Sequence, residues 1–104
     1  MYLQDYLEEQ IAFSKEAFGS EPRLEGVLEH IKEEVEEVRE SPNDLEEWID
    51  LVMLSLDGAW RSGHNVQEII AMLKYKLDKN KNRDWPDWKT SDPTKPINHV
   101  KNKA

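Results

Sequence analysis

The sequence predicts an all-α protein, an antiparallel four-helix bundle completed by oligomerisation. Three observations carry that expectation. Thr occurs only twice, and Leu, Glu, Lys, Ala and Gln dominate as far as about residue 83, so intrinsic preference favours helix. Apolar side chains recur at spacings of three and four, the period of a helix face. Turn and capping residues then cut the chain into four helical segments. A chain of 104 residues is one domain's worth, able to bury roughly two thirds of the surface it exposes when unfolded. The division it predicts is a helical domain over residues 1–83 and an irregular tail over 84–104.

The first helix runs from about Leu3 to Phe18, with Leu3, Tyr6, Leu7, Ile11, Ala17 and Phe18 at helical spacing, and stops at Gly19. Ser20 and Pro22 open the second, whose stripe is Leu24, Leu28, Ile31, Val35 and Val38. Ser41-Pro42-Asn43-Asp44 is the clearest turn. Ser41 suits a cap, Pro42 the first helical position and Asp44 the capping-box acid, so a short helical hairpin is expected. The third helix continues to about Ser62 and ends at Gly63. Asn65 with Glu68 forms a second capping pattern and starts a fourth helix that runs to about Arg83. Beyond Trp85-Pro86 the periodicity is lost, and the tail is expected to pack through Trp85 and Trp88 before fraying.

Composition excludes several classes. Without Cys there is no disulfide and no thiolate metal site. No apolar run is long enough for a bilayer, and the N-terminus lacks a basic region followed by an apolar stretch. A soluble cytoplasmic protein is expected, with no membrane partner. The net charge of -8 makes a wrapper of duplex nucleic acid a poor expectation. That total divides unevenly: residues 1–57 carry 17 acids and 4 bases, residues 58–104 carry 5 acids and 10 bases. An acidic half and a basic half suit a divalent cation and phosphates respectively; two solvated, mutually attracting helix faces are the plainer alternative.

The stretch from Trp48 to Trp60 is apolar around most of a helix and is expected to be buried on nearly all sides, yet it holds Asp50 and Asp57. A carboxylate there must be paired, protonated or bound to metal. Glu34 and Glu37 share a side of the second helix, and Glu47 and Asp50 share a side of the third. At about 1.5 Å rise per residue, an antiparallel hairpin through Ser41 sets Glu37 beside Glu47 and Glu34 beside Asp50 at similar heights. Four converging carboxylates require a cation, and an all-oxygen set suits Mg²⁺, with Mn²⁺ the alternative. His30, on the same flank, is a candidate second-layer donor to a carboxylate.

On the fourth helix Ile69, Leu73, Lys76, Asn80 and Arg83 fall within about 40 degrees of one line, so an apolar stripe becomes a row of donors. Phosphate or base recognition is one reading, and a helix that outruns the bundle is the other. Gln10 and Ser14 lie at the centre of the first helix's stripe, where a buried amide needs a partner: a nucleobase or a backbone carbonyl.

Glu34-x-x-Glu37 followed by Glu47-x-x-Asp50 on consecutive helices resembles the MazG-like all-α nucleoside triphosphate pyrophosphohydrolases. Phe18-Gly19, His30-Ile31, Glu47-Trp48-Ile49-Asp50, Arg61-Ser62-Gly63 and Lys76-x-x-x-Asn80-x-x-Arg83-x-Trp85-Pro86 resemble its short bacterial and phage branch, the dATP/dGTP pyrophosphohydrolases. The resemblance spans about residues 10–86. It implies Mg²⁺ on Glu34, Glu37, Glu47 and Asp50, with Glu34 or Glu37 as the catalytic base. It implies a nucleoside triphosphate substrate whose phosphates Lys76, Asn80 and Arg83 reach; Gln10 and Trp85 are the further candidates for contact with that substrate. It also implies a homodimer or homotetramer with the site near a subunit interface. The spacer of nine residues between Glu37 and Glu47 is shorter than the wider family's, and leaves Glu33 with Glu36 as an alternative register for the first pair. The rival from another class is a non-catalytic acidic helical protein, a DNA mimic or regulator.

Overall fold

The structure is a computed structural model and describes residues 1–101. Among the described residues four helices follow in chain order, α1 (Leu3–Phe18), α2 (Leu24–Glu40), α3 (Leu45–Arg61) and α4 (Val66–Lys81), with a 3-10 turn at Trp88–Thr90. No strand occurs among the described residues, so the all-α class holds.

Local chemistry sets the ends. The Asp5 carboxylate accepts from the Tyr2 N–H at 3.3 Å at the start of α1, and Gly19, at φ 81°, closes it by donating to the Lys15 carbonyl at 2.9 Å. The cap of α3 differs from the sequence expectation. Asp44, and not Ser41, is the N-cap, its side chain accepting from the Glu46 N–H at 3.0 Å, while Pro42 and Asn43 stay in the turn. Two capping solutions lay within four residues, and the one nearer the helix prevails. Asn65 and Glu68 form the reciprocal box expected of them, at 2.8 and 3.1 Å. The ends of α3 and α4 come one and two residues before those expected, as fraying ends do.

The chain divides into two compact units, Met1–Ala71 and a second from Met72 onward. In the first, α2 and α3 pack side by side as a helical hairpin and α1 lies against α3. The core is small: Leu7, Trp60 and Ile69, with Tyr6, Ile11, Leu56, Ala59, Val66 and Ile70 packed on it. One expectation about α3 needs correction. Trp48, Ile49 and Val52 are exposed, since α1 and α2 leave that side of the helix uncovered. Trp60, in contrast, is buried as expected, packed with Leu7 and Ile69.

The second unit holds the rest of α4 and the tail. Along α4 the apolar stripe is buried at Ile69 and half exposed at Leu73, so the row of donors beyond it does not face a core. The tail doubles back: the Val100 N–H donates to the Asp84 carbonyl at 2.7 Å, and the Trp85 and His99 rings meet edge to face at 6.1 Å. Trp88, expected to pack, is exposed. Residues 102–104 of the predicted tail lie outside the described residues.

Candidate metal and nucleotide site

Because α2 and α3 are joined by four residues, side chains equidistant from the turn meet across the hairpin. Glu34 on α2 meets Glu47 and Asp50 on α3, each offering a carboxylate oxygen within 4.8 Å of the others. All three are partly buried. Among the described residues no second group of three ligating side chains comes together. Glu37 stands outside the trio but close enough to act on it. Partial burial, and then the charges of Glu37, Asp50, Glu34 and Asp44, push Glu47 above the usual carboxylate range.

Glu34 is the most telling of the three. His30 Nε2 lies 3.5 Å from its Oε1, whereas its Oε2 is buried and has no hydrogen-bond partner. A buried carboxylate oxygen left without a donor is costly. A hard divalent cation satisfies it and relieves the crowding of Glu47 and Asp50 in the same step, so the donor set fits Mg²⁺ or Mn²⁺. No such fit exists for a soft metal, which prefers sulfur.

Beside the trio lies a cleft of about 280 Å³, lined by Glu34 and Asp50 together with Gln10, Phe13, Ser14, Phe18, His30, Met53, Leu54 and Asp57. Phe13 and Phe18 pack edge to face at 6.1 Å on one wall and keep more than half their surface exposed. The polar wall is a connected network that the sequence did not disclose. Asp57 accepts from Gln10 Nε2 at 3.1 Å, Ser14 Oγ at 3.0 Å and Trp60 Nε1 at 2.9 Å. Ser14 Oγ in turn accepts from Arg61 at 3.0 Å. Arg61, buried against the Trp60 ring, also donates to the carbonyls of Gly19 at 2.9 Å and Glu21 at 2.6 Å. Gln10 spends its second amide hydrogen on the Met53 carbonyl at 2.9 Å, and its oxygen accepts from the Tyr6 hydroxyl at 2.7 Å. A partial signal for Asp57 lay in the sequence, since a charge within an apolar helix and the polar Gln10 and Ser14 at the centre of α1's stripe each needed a partner.

The basic candidates form their own cluster in the second unit. Arg83 donates to Asn80 Oδ1 at 3.1 Å, and Trp85 Nε1 donates to the Asn80 carbonyl at 2.7 Å. Lys76 is exposed.

With the carboxylate trio and the cleft in view, the comparisons with known proteins are informative. A family model described as dATP/dGTP pyrophosphohydrolase matches residues 6–103. The chain belongs to that family. The match takes in α1 except its first three residues, the other three helices and the doubled-back tail, which is more than the motifs alone covered. No curated protein and no solved structure matches the chain. The family's name denotes cleavage of a deoxynucleoside triphosphate to release pyrophosphate, and the cluster of acidic residues is a place where a metal fits. Among the described residues no helix is long and apolar enough to cross a membrane.

Proposed function

We propose that the chain is a Mg²⁺-dependent nucleoside triphosphate pyrophosphohydrolase, with Mn²⁺ able to replace Mg²⁺. Its reaction converts a purine deoxynucleoside triphosphate, dATP or dGTP, and water into the monophosphate and pyrophosphate. The observation that carries this reading is the unpartnered, buried Oε2 of Glu34 beside Glu47 and Asp50, in a chain of the dATP/dGTP pyrophosphohydrolase family.

Glu34, Glu47 and Asp50 would hold the cation, with Glu37 as a fourth carboxylate beside them. When bound, the cation supplies Lewis acidity at the α-phosphate and a fixed position for the attacking water. Glu34 or Glu37 takes the proton of that water as its oxygen attacks the α-phosphorus and the bond to the β-phosphate oxygen breaks. His30, 3.5 Å from Glu34 Oε1, steers the carboxylate so that the other oxygen faces inward. Phe13 and Phe18 offer the nucleoside an apolar wall, and Gln10 fixes Asp57 and the cleft's polar floor rather than reaching out with a free donor. For Lys76, Asn80 and Arg83 the role is phosphate recognition, on their chemistry: Arg pairs phosphate bidentately and Lys neutralises the leaving pyrophosphate. Trp85 braces Asn80 through its indole N–H.

The exposed Leu24, Leu28, Leu45, Trp48, Ile49 and Val52 on the hairpin support a homodimer or homotetramer. The decisive experiment incubates a panel of ribo- and deoxynucleoside triphosphates with protein and Mg²⁺ and measures pyrophosphate and orthophosphate separately. Pyrophosphate in step with monophosphate is expected, fastest with dATP or dGTP. Orthophosphate alone overturns the reaction class.

A further inference from the structure

The doubled-back tail gathers positive charge with no visible return. His99 and Lys101 come to rest with Asn82, Arg83 and Asp84 around a polar basin of about 480 Å³ at the end of α4. The tail is held there by the Val100 N–H on the Asp84 carbonyl and by the edge of Trp85 against the His99 ring. Burial, and then the charges of Arg83, Lys101, Lys76 and Lys79, hold the His99 imidazole below its ordinary range. Facing these cations the basin has one carboxylate, Asp84. The nearby Asp78 is engaged by Lys74 at 3.1 Å. Like charges brought together raise the energy of a fold unless a counter-ion joins them. The apolar gain from the tail is small, since Trp85, Ile97 and Val100 all remain about half exposed.

From this we infer that the folded-back segment turns the end of α4 into an oxyanion-binding basin, in which His99, Lys101 and Arg83 take a phosphate or pyrophosphate group. The inference rests on the proposed function only in sharing Arg83; it assigns His99 and Lys101 a ligand and needs neither the acidic trio nor any turnover. A neutral imidazole in that place donates one N–H to a phosphoryl oxygen, while Arg83 and Lys101 supply the charge. The anion's source is either free pyrophosphate, the product, or the polyphosphate of a nucleotide.

The test is titration calorimetry on the full chain in EDTA, with inorganic pyrophosphate in one arm and dATP in the other, followed by NMR of the His99 ring. Pyrophosphate is expected to bind the wild type and to raise the His99 pKa. Lys101→Gln and His99→Gln should each weaken binding about tenfold, while Lys89→Gln, on the exposed 3-10 turn, leaves it unchanged. Glu47→Gln, which disables the metal site, should bind pyrophosphate as the wild type does; retained binding in that variant separates the basin from the catalytic reading. Binding of dATP as tight as pyrophosphate assigns the basin to the nucleotide's polyphosphate, and weaker binding assigns it to the product. Absence of pyrophosphate binding, or equal loss in Lys89→Gln, overturns the proposal, as does a His99 resonance that does not respond.

Discussion

The α2–α3 hairpin and the end of α4 present the same problem with opposite sign. In the hairpin, Glu34, Glu47 and Asp50 crowd around an oxygen that has no donor. At the end of α4, Arg83 and Lys101 line one basin with the His99 imidazole. Each arrangement sets like charges close together, a cost that a counter-charge would offset. The difference lies in how each is built. The acids sit on rigid helices joined by a four-residue turn, so their spacing is fixed locally, whereas His99 and Lys101 reach Arg83 only through a tail returning across some fifteen residues, held by one main-chain hydrogen bond and the Trp85–His99 ring contact. Precision belongs to the hairpin, and adaptability to the tail.

The largest effect that would test this contrast is loss of a hairpin ligand. Asp50→Asn should lower Mg²⁺-dependent pyrophosphate release by more than about 100-fold, since even residues that only support metal ligands cost 10- to 100-fold. Circular dichroism should show helicity unchanged. Full activity in that variant would remove Asp50 from the site.

A divalent titration followed by thermal melting comes next. Mg²⁺ at a hundred times its Kd should stabilise the wild type by about 2.7 kcal/mol. Glu47→Gln should abolish that gain and raise the melting point of the metal-free chain. The direction follows from Glu47's elevated pKa: its ionisation opposes folding. The metal-free wild type therefore gains stability as pH falls from Glu47's folded value toward the ordinary carboxylate range, and the amide variant already holds that gain at neutral pH. A lower melting point for Glu47→Gln would contradict the crowding.

Arg61→Met removes three donated hydrogen bonds beneath the cleft while keeping apolar bulk. A loss of about 2 kcal/mol is expected, lowering the melting temperature by roughly 8–16 °C. The smallest effect is at the tail. His99 binds protons less readily folded than unfolded, so its contribution is intact above its ordinary value of 6.5 and falls as pH drops below it. Acidification from pH 7 to 5 should shift the Trp85 indole resonance before any helical signal moves.

Much of this was legible in the sequence because it is local. The limits of α1, the Asn65–Glu68 box and the meeting of Glu34 with Asp50 follow from period, capping and distance from a turn. What escaped was long-range or degenerate. Asp44 and Ser41 were competing caps. Asp57 draws Gln10, Ser14 and Trp60 from two helices, so its role emerges only when those helices pack. The exposure of Trp48 and Val52 depends on how many neighbours α3 has, which an apolar pattern does not state. The return of Val100 to Asp84 has no periodic signature.

Arg61 also bears on how the molecule breathes. The link from Gly19 to Arg23 has no regular structure, includes Pro22, and holds Arg23 at φ 50°. Such a segment would ordinarily open on its own and exchange its amide hydrogens quickly. Its carbonyls at Gly19 and Glu21 are tied instead to a side chain forty residues further on. Its opening is thereby bound to that of the end of α3, so hydrogen exchange in the link should slow toward the rate at which the whole first unit unfolds, and the wall of the cleft formed by Phe18 keeps its place.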